Sequence, residues 1–81
     1  MDQEELGQVS TVARKTLEQV ESLWHSRRIS YEVFHAYMWV WTKGADRFAS
    51  YDDWSSDDPK IREMAKKMCE ISGIPVGKVL G

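Results

Sequence analysis

Residues 31–50, YEVFHAYMWVWTKGADRFAS, decide the fold. Phe34, Met38, Trp41, Ala45 and Phe48 fall at intervals of four, three, four and three, which marks one face of an α-helix and not the alternation of a strand. Val33, Tyr37 and Val40 widen the stripe, and the run from Val33 to Trp41 is nearly all apolar, so this helix buries more than one face. Ser30 is suited to cap its start, and Ile29 and Phe34 have the spacing of a hydrophobic staple. Gly44 offers a stop after Lys43. The apolar stripe keeps its phase past that glycine, so the helix is expected to run to about Ser50. Gly44, Ala45 and Ala49 are small and would let a partner helix approach.

Upstream, Leu6, Val9, Val12, Ala13, Leu17, Val20, Leu23 and Trp24 repeat at helical spacing and predict one helix over about 2–25. Asp2 with Glu5 makes a capping box. Ser10 is the alternative start, because Gly7 weakens the first turns by about 1 kcal/mol relative to alanine. Part of this stripe fits coiled-coil positions, but Thr16 interrupts it, and packing within a bundle is the simpler account. The short connection HSRRIS, residues 25–30, folds this helix back on the next as a hairpin.

Downstream, YDDWSS, residues 51–56, breaks the periodicity and reads as a loop. Asp58 before Pro59 is a helix start, and Ile61, Met64, Ala65, Met68 and Cys69 form the stripe of a third helix over 58–72. Gly73, Ile74 and Pro75 follow in the order of a Schellman stop. No helix is predicted in the apolar tail, residues 74–81. No stretch alternates as a strand does. The expected fold is therefore all-α: a single small three-helix domain spanning 1–81, a hairpin with a third helix packed across it.

The chain has 81 residues, which bounds it to one domain with a thin core. Hydrophobic residues at 42% and charged residues at 30% argue for a folded globule. The formal net charge of −2 gives no overall pull toward nucleic acid or anionic membrane. The single cysteine, Cys69, cannot form an internal disulfide. The start MDQEELGQ does not read as a signal peptide, and no apolar run is long enough to span a bilayer. These features lead us to expect a cytoplasmic protein with no membrane association.

Catalytic signatures are sparse. His25, His35 and Cys69 are the only imidazoles and thiol, and Cys69 falls on an apolar stripe where a small buried hydrophobe is expected. No zinc, redox or phosphate-loop motif is present. Asp52, Asp53, Asp57 and Asp58 lack the order of a calcium loop. The expectation is a protein that is not an enzyme and needs no metal or cofactor.

Binding signals are stronger. Tyr51 and Trp54 sit among Asp52, Asp53, Asp57 and Asp58, an aromatic in an acidic frame that could anchor on a basic partner. Trp54 folding back over the core is the equal competitor. Trp39 shares the face opposite the main stripe with Glu32, His35, Thr42 and Asp46, so it is expected to meet a partner unless the helix is covered on both sides. The excess apolar surface of residues 31–50 points to a homodimer packed through this helix, or to a hetero-complex that uses it. A third candidate is the set Arg27, Arg28, Lys60, Arg62, Lys66 and Lys67, able to follow phosphates but interrupted by Glu63 and Glu70.

The leading expectation is a non-enzymatic protein–protein interaction module: a small acidic inhibitor or adaptor that occludes a protein or nucleoprotein complex through a basic surface. By size and charge it is analogous to phage- or plasmid-encoded inhibitors of host complexes. The alternative is a nucleic-acid-associated transcriptional or plasmid/phage regulator that uses the basic face of the third helix.

Overall fold

The computed structural model describes residues 3–45 and 53–81. Among them the chain forms five helices and no strand: α1 (Gln3–Val12), α2 (Leu17–His25), α3 (Tyr31–Ala45), α4 (Pro59–Ser72) and α5 (Val76–Leu80). The all-α class expected from periodicity is present, but the division into helices differs at both ends of the chain.

The helix expected over 2–25 is two helices. Thr16 restarts it: the Thr16 hydroxyl accepts from the Gln19 N–H at 3.3 Å, and the Gln19 side chain accepts from the Thr16 N–H at 3.1 Å. This is a capping box with glutamine at its third position. The carbonyls released by the break find distant partners. Tyr37 donates its hydroxyl to the Lys15 carbonyl at 2.6 Å, and Ser72 donates to the Ala13 carbonyl at 3.0 Å. Arg14, beside them, donates to the Ile71 carbonyl at 2.8 Å. A helix interruption leaves backbone groups that need partners, and here α3 and α4 supply them. The capping box expected from Asp2 lies outside the described residues.

α3 begins where expected, with the Ser30 hydroxyl accepting from the Val33 N–H at 3.3 Å, and it passes through Gly44 to Ala45. The continuation over 46–50 lies outside the described residues. α4 is capped by Asp58, whose carboxylate accepts from the Lys60 N–H at 2.9 Å, with Pro59 opening the helix. It stops at Gly73, φ 74°, where the Ile74 N–H reaches the Cys69 carbonyl at 3.0 Å. Both ends of this helix are as the sequence predicts.

Three helices share one polarity. Glu5 of α1 meets Ser30, at the head of α3, at 3.5 Å and Lys60, at the head of α4, at 2.8 Å. At the other end, residues 13–15 meet Tyr37, Ile71 and Ser72 through the bonds just described. α2 returns in the opposite sense, from the Lys15 end to Trp24, which stacks on Phe34. The expected hairpin is therefore α2 with α3 alone. The described residues 53–58 lie against α3, with Asp53 near Lys43 and the Trp54 carbonyl at His35, and lead into the head of α4.

α3 is the central helix, with Val33, Phe34, Ala36, Tyr37, Met38, Trp39, Val40 and Gly44 all buried. The tail expected to lack structure forms α5 and closes the bundle against Gly44, in which a Cβ would stand 2.6 Å from Ile74 Cγ2 and 2.9 Å from Val79 Cγ2. Five residues cannot hold a helix alone, so α5 exists by packing.

Candidate partner interface

The acidic segment is built against α3 by its own polar groups. Asp53 accepts from the Ser55 N–H at 3.0 Å and from the Ser55 hydroxyl at 2.6 Å, with Lys43 Nζ 4.0 Å away. The Ser55 hydroxyl, then its backbone N–H, hold the Asp53 carboxyl below its usual value of 3.8, and Lys43 adds to the effect. Ser56 accepts from the Asp58 N–H at 3.1 Å, and Asp58 caps α4. Asp53, Asp57 and Asp58 are exposed.

Trp54 ties this segment to α3. His35 Nε2 lies 2.6 Å from the Trp54 carbonyl; a carbonyl only accepts, so Nε2 carries the proton. The Trp54 ring meets His35 and Phe34 edge-on, at centroid distances of 5.4 and 6.1 Å. Trp54 therefore folds back on the bundle while remaining half-exposed. Tyr51 and Asp52 lie outside the described residues.

Trp39 is not on a free face. It is 1% exposed, beneath the Arg62 guanidinium at 5.9 Å from the ring centroid, in a region also lined by Ser55, Ser56, Asp57, Val79 and Leu80. The expectation that it anchors a partner is corrected: α4, α5 and residues 55–57 cover the second face of α3. Its Nε1 is buried with no hydrogen-bond partner. That costs about 1–3 kcal/mol, against which the burial of an indole ring is a large opposing gain.

The six cations do not form one surface. Lys60 pairs with Glu5 at 2.8 Å and Lys67 with Glu70 at 3.8 Å, while Arg62 lies on Trp39 and donates to the Ser56 carbonyl at 3.4 Å. Arg62, Lys66 and Lys67 line a shallow depression that Glu63 and Glu70 share. Arg27 and Arg28 stand apart, at the carboxyl end of α2.

That end belongs to an aromatic cluster the sequence reading did not single out. Trp24 stacks on Phe34 at 4.4 Å and 12°, lies 5.2 Å from His25 and 6.2 Å from Tyr31, and Tyr31 meets His35 edge-on at 5.8 Å. The Tyr31 and His35 pair at helical i,i+4 spacing was the available signal.

Neither histidine pairs with the thiol. Cys69 is wholly buried in the core, and burial first, then the nearby Glu70, pushes its thiol pKa up, away from a nucleophilic thiolate. Among the described residues no group of three His, Cys, Asp or Glu side chains is placed to hold a metal ion. No helix among them is long and apolar enough to cross a membrane. Comparison with protein-family models, with curated proteins and with solved structures gives no match.

Proposed function

We propose that the chain is a non-enzymatic binding protein, a small acidic inhibitor or adaptor that docks on a cationic protein surface through residues 53–58. One observation supports this above the others. Asp53, Asp57 and Asp58 are exposed on a segment whose backbone is pinned by Ser55, by Ser56 and by the His35 contact. Carboxylates on a preorganised backbone bind with less ordering cost than the same charges on a loose loop, and they steer encounter with a basic partner. Trp54 supplies a half-exposed ring beside them. The cationic alternative on α4 is weakened by the carboxylates that neutralise Lys60 and Lys67. With α3 covered inside one chain, a homodimer is not needed to shield it.

The test uses D53N/D57N/D58N, which removes charge but keeps the cap, since asparagine caps helices as well as aspartate. Wild type and variant serve as matched baits against the same cell extract, and association kinetics are then measured for each protein that wild type alone retains. Slower association with a flatter salt dependence in the variant is expected. Equal retention and equal salt dependence would remove the acidic segment as the docking site.

A further inference from the structure

The corner between α2 and α3 carries the opposite charge from the acidic segment. Residues 22–31, SLWHSRRISY, contain two arginines, a histidine and no carboxylate, although Glu21 and Glu32 flank them and Glu5 reaches the Ser30 hydroxyl at 3.5 Å. Arg27 has φ 60°, alone among the described non-glycine residues in the left-handed region. Its N–H bonds the Trp24 carbonyl at 3.0 Å, and the Arg28 N–H bonds the Leu23 carbonyl at 2.8 Å. This is the helix stop that normally takes glycine, and α4 does use glycine there, Gly73 at φ 74°. A residue with a Cβ is strained in this conformation. The carboxyl end of α2 favours a nearby positive charge, but Arg28 supplies one without strain, so helix chemistry does not account for a side chain at position 27.

That side chain lines a shallow depression with Trp24, His25, Ile29 and Tyr31. Tyr31 is 53% exposed, and Trp24 is half-buried with its plane fixed by Phe34. We propose that this corner is a stacking platform for single-stranded nucleic acid, with Tyr31 and the Trp24–His25 pair receiving bases and Arg27 and Arg28 meeting phosphates. An open surface of rings beside guanidinium groups matches unpaired bases, each of which has a π-face, and an anionic backbone. An acidic peptide would satisfy the arginines but leave the ring planes unused. The site shares no residue with the acidic segment and stands independently of the docking reading.

Fluorescence anisotropy with labelled oligothymidylate and oligouridylate tests it on the whole chain. Binding should weaken with salt, the logarithmic slope being about −0.7 per phosphate neutralised. Tyr31→Ala should weaken binding between about fivefold and about 150-fold, the range that loss of one stacked base gives. Arg27→Gly relieves the backbone strain, so its thermal midpoint should equal or exceed that of wild type while its salt slope shrinks by about 0.7. D53N/D57N/D58N should bind as well as wild type or better, which separates failure here from failure of the acidic docking site. Preference for either oligonucleotide supports the proposal and names the natural strand. No binding at low salt, binding untouched by both Tyr31→Ala and Arg27→Gly, or equal competition by polyglutamate would overturn it.

Discussion

Asp53 is exposed, yet two hydrogen bonds from Ser55 keep its carboxyl ionised below the usual range. A depressed carboxyl contributes stability that is present above its unfolded value, 3.8, and lost as pH falls through its folded value. The 53–58 turn should therefore loosen only in acid below the ordinary aspartate range. Ser55→Ala removes the first of the two bonds, so the Asp53 carboxyl should titrate closer to 3.8 in an NMR pH series; an unchanged midpoint would show that the serine hydroxyl does not hold it. At this scale the caps were legible in advance. Ser30 and Asp58 each bind a backbone N–H a few residues away, which is local chemistry. Trp39 was not legible, because its burial depends on Arg62 and α5, remote in sequence.

Helices read from periodicity alone run on wherever the stripe keeps its phase. Val12, Ala13 and Leu17 keep it across the gap between α1 and α2, so the interruption at residues 13–16 was hidden; Thr16 stood out only as a flaw in the pattern. The break survives because Tyr37 and Ser72 take up the released carbonyls. Two helical glycines give a direct comparison. A Cβ at Gly7 meets nothing within 4 Å, so Gly7→Ala should stabilise by roughly 0.5–1 kcal/mol. A Cβ at Gly44 would lie 2.6 Å from Ile74 Cγ2, a branched methyl held at the α5 contact. Overpacking of about 1–3 kcal/mol should outweigh the same propensity gain there. Urea melts of the two variants should move in opposite directions. Movement of both toward higher stability would mean that α5 yields freely.

Across the whole molecule, α5 completes the cover over α3. Val79 is 5% exposed against Gly44, and Val79→Ala should lower unfolding stability by about 1–2 kcal/mol, the value of two buried methylenes. The more exposed Val76 should tolerate alanine better. With α3 covered, light scattering should return the 9.4 kDa mass of one chain, and a doubled mass would place a dimer contact on some other face. The all-helical class, the caps of α3 and α4 and the glycine stop after α4 were readable from the chain alone, since each rests on spacing or on bonds spanning a few residues. The parallel run of α1, α3 and α4, the split of the first helix, the folding of the tail and the burial of Trp39 required the assembled bundle. Each of these depends on contacts between residues far apart in sequence, whose free energy exists only once the helices have met.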